Sequence, residues 1–371
     1  MTSFLKDTTK LVSFLCCSLF SFSVVGQEVD LTDTTKISQR NSFFAVPVVF
    51  FSPETDCAFG DTGIYAFRFK KEKNTARPSQ LTLGFAYTLD KQVLLYLPYQ
   101  LFVKDQTYNI YGELGYYLYS YQFFGLGNDT KQDDREIYKV NFPRIRLNAL
   151  KLLRSNLYGG FRYWMDDFDI REIEAGGLLD SEKIVGQDGG FLSGAGLVLN
   201  YDNRNNIFFP TKGIFAEVVG FSNGSYLGSD FNFTKFTIDV SKYIGFEDQV
   251  MALNFYSEFT GGNAPFNQLA LLGGNRKMRG YFEGQLRDNH QMVLQSEYRF
   301  PVYKKRLRGV LFGGIGQVAN QLSDFGVSNL KYTYGAGLRI LINEKERIHV
   351  RLDAGFGKET SGYYITIGEA F

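Results

Sequence analysis

The sequence predicts an all-β fold and, within that class, a sixteen-stranded antiparallel β-barrel that crosses a membrane. Three observations support this prediction: apolar and polar residues alternate along many segments, sixteen such segments can be counted, and short links alternate with long ones. An even number of strands of about 10 residues, with short turns at one end and longer loops at the other, is typical of bacterial transmembrane barrels. The 36 Phe and 24 Tyr also favour pleated strands.

The N-terminal region is predicted to be an export signal. Two lysines precede an apolar run at 11–25, and small residues follow it, so residues 1–26 have the features of a signal peptide. A membrane-anchor helix is the alternative, but the run is shorter than the ~20 residues that a spanning helix needs. Residues 27–40 are then a short periplasmic segment, and residues 41–371 form the barrel.

The charge balance argues against a nucleic-acid ligand. Without residues 1–26, the chain has 38 basic and 38 acidic residues. Proteins that bind nucleic acid normally show a basic excess or patch. Removal of the signal also leaves Cys57 as the only cysteine, so no internal disulfide is expected.

The alternation is clearest in three segments, 291–300, 331–342 and 349–356. In the last of these, apolar residues alternate with Arg351 and Asp353. A soluble two-sheet sandwich would bury the apolar face, whereas a membrane barrel would turn that face to lipid and enclose the polar one. The alternation alone does not separate these alternatives.

The number and length of the strands favour the barrel, with its N-terminus in the periplasm. Many of the segments are longer than the ~5–6 residues of a typical globular strand. The predicted strands are centred near residues 47, 66, 84, 97, 113, 142, 161, 196, 217, 238, 254, 295, 312, 336, 352 and 366. The short links lie at 104–107, 245–248, 302–305 and 343–346, and the longer ones near 121–135, 168–188, 261–289 and 319–329.

A basic, glycine-punctuated stretch, LLGGNRKMRGYFEGQLRDNH at 271–290, interrupts the alternation between the eleventh and twelfth predicted strands. Its segment MRGY resembles the signature of the outer-membrane assembly-factor superfamily, the BamA/TamA-like or bacterial surface antigen family, which includes two-partner secretion pores. The segment YDNRNNIFFPTKGIF at 201–215 resembles that family's turn between the eighth and ninth strands. The resemblance covers roughly residues 42–371.

The resemblance implies a role for the MRGY residues, Met278, Arg279, Gly280 and Tyr281. In the family this loop folds back into the barrel, and its arginine pairs with an acid on the inner wall. Glu297 and Asp353 are the candidate acids, because both face inward by parity. Glu297 is the preferred one. The family usually places another acid where this chain has Gly314, which leaves the partner of Arg279 open. A solvated extracellular loop is the alternative.

Three functional classes follow from the resemblance to a bacterial outer-membrane family: an assembly factor that inserts other outer-membrane proteins, a translocation pore for an exported partner, and a non-catalytic channel or scaffold. A weak seam between the first and last strands would favour insertion. Pro47 cannot donate a ladder hydrogen bond, and Gly362 and Gly368 weaken the last strand. Pro47 could equally lie where its missing donor points away from a partner. Phe371 is predicted to be a C-terminal assembly signal at the membrane boundary.

Several partners are expected from the resemblance. Family members usually carry periplasmic POTRA domains that receive client chains, and residues 27–40 are too few to form one. A separate periplasmic or lipoprotein partner is therefore expected, docked on the charged turns at 302–306 and 343–347. Client outer-membrane proteins and the lipid bilayer complete the expected partners. A barrel that acts alone is the alternative.

Catalysis is not expected, nor is any cofactor or metal. His290 and His349 lack metal-ligand spacing, and Ser193 falls in a predicted strand rather than in a strand-to-helix elbow. The acidic stretches at 133–136 and 166–169 could hold a cation, but we expect them to be solvated surface loops.

Overall fold

The structure is a computed structural model that describes residues 41–52, 56–70, 72, 78–181, 184–304, 306–344 and 347–371. The predicted signal peptide, 1–26, and the segment 27–40 lie outside the described residues. The strands of the described part are β1 Asn41–Ser52, β2 Asp56–Phe67, β3 Ser79–Thr88, β4 Val93–Val103, β5 Tyr108–Phe123, β6 Glu136–Arg154, β7 Leu157–Glu172, β8 Gly190–Asp202, β9 Gly213–Asn223, β10 Phe233–Phe246, β11 Gln249–Gly262, β12 Ala270–Leu272, β13 Leu286–Asp288, β14 His290–Tyr303, β15 Leu307–Ala319, β16 Lys331–Asn343, β17 Ile348–Gly357 and β18 Thr360–Ile367.

Helical structure in the described ranges is limited to short turns. These are Leu178–Ser181, Gln132–Asp134, Ser225–Leu227, Phe266–Gln268, Leu322–Asp324 and Val327–Asn329. None of the described helices has the length and apolar character that a membrane-spanning helix requires.

The long strands form one antiparallel sheet, which confirms the all-β prediction. Each strand pairs with its neighbour in the chain, except that β11 pairs with β14, and the strand order closes into a barrel with β1 beside β18. Every predicted strand centre falls within one of these strands. The exception to the pairing arises because β12 and β13 form a separate small hairpin, which the sequence analysis did not predict.

The two faces of the sheet are inverted relative to a soluble protein. Outward residues are large and apolar, such as Phe161, which is 70% exposed, and Leu294, which is 50% exposed. Inward residues are charged and buried, such as Arg299 and Arg351. Exposing an apolar side chain to water forgoes about 1.5–3 kcal/mol, so an outward apolar face favours contact with lipid. The closed strand order excludes the two-sheet sandwich.

The two ends of the barrel differ, and we name them by their connections. At the turn end, short connections include 104–107, 155–156 and 247–248; at the loop end, longer ones include 263–289 and 320–330. Strands β5 and β7 extend further into the loop end than the sequence predicted.

The expectation that residues 166–169 form a surface loop is wrong, because they belong to β7. Asp166 faces inward and is buried, and its carboxylate pairs with the guanidinium groups of Arg144, at 3.0 Å, and Arg146. The other acidic stretch is divided. Asp133 and Asp134 are exposed in a turn, whereas Glu136 is buried at the start of β6.

Candidate functional site

The connection between β12 and β13 runs inside the barrel and carries the MRGY motif. The side chains of Met278, Arg279 and Tyr281 are all buried. Met278 and Tyr281 pack with apolar residues of the hairpin and the wall, among them Leu272 and Val293. We call residues 273–285 the inward loop.

Arg279 lies between the two acids that the sequence singled out. Its Nη2 is 2.5 Å from Oε1 of Glu297 on β14, and its Nη1 is 2.5 Å from Oδ2 of Asp353 on β17. The guanidinium carbon is also 3.6 Å from the ring centre of Phe312 on β15. A planar guanidinium can satisfy two carboxylates and stack on a ring at once, which an ammonium cannot do. Both candidate acids therefore contact Arg279, rather than Glu297 alone.

These groups belong to a larger network that we call the luminal charge cluster. Its members are Arg279, Glu297, Arg299, Arg339, Arg351, Asp353 and Glu369. Arg339 binds Asp353 at 2.6 Å and Glu369 at 2.8 Å, while Arg299 binds Glu297 at 2.9 Å. Alternation predicts Arg351 and Asp353 on the polar face. That Arg299 and Arg339 reach the same acids follows from the register between the strands.

The inward loop also bonds to the wall through its backbone. The Gly280 amide donates to the Tyr364 hydroxyl at 3.0 Å, and the Thr360 hydroxyl donates to the Gly280 carbonyl at 2.7 Å. Arg351 donates to the Asn275 carbonyl at 2.9 Å. These bonds satisfy polar groups that would otherwise be buried without partners, which is expensive. The loop is therefore attached to the wall at several points.

Two glycines permit this close approach. Gly280 has a φ of +113°, which L side chains rarely adopt, and a Cβ there would lie 2.7 Å from the amide nitrogen of Phe356. A Cβ on Gly355 of β17 would lie 2.6 Å from the Arg279 carbonyl carbon and oxygen. Loop and wall therefore meet backbone to backbone.

We expect Gly355→Ala to displace the inward loop, because the added methyl group collides with the Arg279 backbone. Overpacking of this kind typically costs about 1–3 kcal/mol. The thermal midpoint of the heat-modifiable gel shift and protease cleavage within 273–285 measure the effect. Gly220→Ala is the control, since no heavy atom lies within 4 Å of its Cβ position. Equal behaviour of the two variants would contradict this contact.

The seam between β1 and β18 is joined by a single register pair in the described residues, Phe51 with Ile365. On its other side, β1 pairs with β2 along its whole length from Asn41 to Ser52. Pro47 lies opposite Asp61 of β2 in that ladder and is exposed. Gly362 lies opposite Gly355 on β17, and a Cβ at Gly362 would lie 2.3 Å from the Tyr364 hydroxyl oxygen.

The C-terminal residues turn inward after the last strand. Strand β18 ends at Ile367, and Gly368 turns the chain with a φ of +87°. Glu369 then joins the luminal charge cluster, and the Phe371 ring lies 6.0 Å from Arg299. The role of Phe371 as a C-terminal assembly signal at the membrane boundary stays a prediction.

At the loop end, side chains pack around a buried arginine of the hairpin. Arg287 donates to the carbonyls of Phe266 at 3.3 Å and Gln122 at 3.4 Å. Its guanidinium lies 5.2 Å from the Phe123 ring centre and 5.5 Å from that of Phe266. The hairpin thus links the inward loop to the strands opposite it.

Two of the residues considered for catalysis form hydrogen bonds with residues of neighbouring strands. Nδ1 of His290 accepts from the Thr260 amide at 3.3 Å, and Ser193 on β8 bonds Tyr163 at 3.0 Å. In the part of the chain that the structure describes, no group of His, Cys, Asp or Glu side chains is placed to hold a metal ion. The absence of catalysis stays a prediction.

Solved structures with a similar fold come from outer-membrane proteins. BamA from Haemophilus ducreyi lacking POTRA domains 1–3 is 16% identical, with a TM-score of 0.58 over 89% of this chain and 70% of that one. CdiB from Acinetobacter baumannii is 14% identical, with a TM-score of 0.58 over 89% and 60%. CdiB from Escherichia coli is 11% identical, with a TM-score of 0.59 over 90% and 64%. These likenesses concern the fold.

No individual curated protein matches the chain. A family model does match it: residues 48–371, nearly all of the barrel, match the Omp85 superfamily domain. The match includes the inward loop, both acids that bind Arg279, and the last strand. The chain therefore belongs to the Omp85 superfamily and is an outer-membrane β-barrel protein.

Proposed function

We propose that this protein inserts other outer-membrane proteins into the bilayer by opening its seam toward lipid. The observation that carries the proposal is the contrast between the two edges of β1: among the described residues, one register pair joins it to β18, whereas a full ladder joins it to β2. Each ladder hydrogen bond contributes roughly 0.5–1.5 kcal/mol, so the seam is the edge that separates at the lowest cost. An opened edge presents unpaired N–H and C=O groups, which a client strand can pair with.

The inward loop supports a lateral path over an axial one. It occupies the lumen beside β14 to β18 and is fixed by Arg279 and by backbone bonds. This arrangement argues against a permanently open channel. The same attachment keeps the last strands rigid while β1 moves, so that the barrel can open at one place without collapsing.

The direct test is insertion by the purified protein. Proteoliposomes that contain the full chain are mixed with an unfolded client barrel, and folding of the client is followed by its heat-modifiable migration. Faster insertion than in empty liposomes of the same lipid supports the proposal. Equal rates with and without the protein would refute insertion by this protein alone.

A translocation pore is the second candidate, and the wall of β6 to β9 favours it. Inward charges such as Arg162 and Glu217, which pair at 2.8 Å, give this wall a polar surface that a polypeptide could pass. Passage would require the inward loop to leave the lumen. Entry of an exported partner into the proteoliposomes, without insertion of clients, would favour this candidate.

The periplasmic or lipoprotein partner stays a prediction. The end of β14 supports it, because Val302 and Tyr303 are more than half exposed and the exposed charge of Arg306 lies in the turn that follows. A surface ion pair alone contributes about 0–1 kcal/mol, so apolar contacts are needed for stable docking. Lys305 and residues 345–346 of the predicted surface lie outside the described residues. Mild-detergent purification should recover a partner that Tyr303→Glu releases. Recovery of the barrel alone would contradict this prediction.

A further inference from the structure

We infer that the connection between β8 and β9 closes the turn end of the barrel, with Phe209 as the closing residue. This inference concerns the lumen and does not depend on the insertion proposal. Phe209 is 3% exposed although it lies in a connection between strands. Its ring centre is 4.6 Å from that of His349 on β17. Strands β10, β11, β14, β15 and β16 stand between β9 and β17 in the sheet, so this contact crosses the opening.

The ring also contacts two arginines on strands that stand between β9 and β17. Its centre lies 5.1 Å from the guanidinium carbon of Arg308 on β15 and 5.7 Å from that of Arg299 on β14. An arginine over an aromatic face is attracted by the negative face of the ring. Arg299 also contacts Phe371, so the connection and the C-terminal residues converge on one arginine at this end.

The connection is pre-shaped to present Phe209. Oδ1 of Asn206 accepts from the amides of Phe208 at 2.9 Å and Phe209 at 2.7 Å. Oδ1 of Asn205 accepts from the amides of Thr211 at 3.0 Å and Lys212 at 3.1 Å. Asparagine side chains that bond nearby amides fix turns of this kind. The backbone can therefore hold the ring in place without a strand to support it.

A ring that packs across the lumen against His349 and two arginines occupies space through which hydrated ions would otherwise pass. The inward loop obstructs the lumen from one side and Phe209 closes the other. Two obstructions in series predict a specific result: removing either one leaves the lumen closed, and removing both opens it.

The test is single-channel conductance of the full chain in planar bilayers. The inward loop, 273–285, is replaced by an Asn-Gly turn, since Leu272 and Leu286 are paired and such a turn joins paired strands. We expect brief currents at most from this barrel and from Phe209→Ala in the intact chain. The combination should give a sustained conductance that neither change gives.

Matched variants keep the test specific. In the loop-replaced barrel, Ile207→Ala alters an exposed side chain of the same connection and should add nothing, while Phe209→Trp should stay closed. Equal currents from Phe209→Ala and Ile207→Ala would overturn the inference, as would sustained current from Phe209→Ala alone. Heat-modifiable migration verifies folding. If Phe209→Ala does not assemble, Phe209→Leu replaces it, and equal currents from Phe209→Leu and Phe209→Trp would overturn the inference.

Discussion

Arg279→Ala is expected to produce the largest loss of stability of any single change in the barrel. It leaves Glu297 and Asp353, both buried, without a cation that each now contacts at 2.5 Å. Removing one partner of a buried ion pair typically costs about 3–5 kcal/mol, and the remaining arginines reduce that loss in part. The heat-modifiable gel shift should therefore occur at a lower temperature, and the inward loop should become sensitive to protease.

Two variants define what this loss means. Arg135→Ala removes an exposed arginine and should leave the transition unchanged. Arg279→Lys keeps the charge but not the two-pronged geometry, so an intermediate loss is expected. An Arg279→Ala barrel that assembles and resists heat like the unmodified protein would contradict the anchoring role.

Locking the seam is expected to have the largest effect on activity. The Cα partners Phe51 and Ile365 are the register pair of the seam, and opposed residues of antiparallel strands lie roughly 4.5–5.5 Å apart, within disulfide range. With Cys57→Ser to remove the native thiol, Phe51→Cys and Ile365→Cys should form a disulfide. The oxidised barrel should lose client insertion, and reduction should restore it.

The native cysteine provides a matched control for this lock. Phe51 is also the register partner of Cys57 on β2, so Phe51→Cys alone should link β1 to β2 instead. That disulfide has the same chemistry on the same residue, but it spans an edge that our account leaves closed. Insertion should continue after its oxidation. Full activity with the seam oxidised would exclude a gate there and favour a pore or scaffold.

The strands could be predicted because the alternation that marks a barrel strand is contained in its own sequence. Its two faces meet different solvents, so each residue's face follows from parity, and Arg351 and Asp353 were assigned inward in this way. The hairpin of β12 and β13 was missed because each strand has three residues, too few for alternation. The convergence of Arg299 and Arg339 on the acids depends on register, which no single segment contains.

Glu369 was missed although the sequence carried a signal for it. Ile365 and Ile367 share the outward face, so an unbroken strand would place the next alternate residue, Glu369, in lipid. Charged residues on a lipid face are destabilising. Gly368 resolves this conflict by turning the chain inward. The same turn limits how far β18 can pair with β1, which sequence parity alone could not show.

The central claim, that clients pass through the seam, is tested most directly by trapping a client during insertion. A client with one cysteine in its terminal strand is stalled on barrels that carry a single cysteine in the Cys57→Ser background. One barrel has Ile365→Cys at the seam, and the other has Ser241→Cys, whose side chain is buried and faces the lumen from β10. We predict that oxidation links the client to residue 365 and not to residue 241. A link to residue 241 alone would contradict insertion through the seam and would favour transport through the lumen.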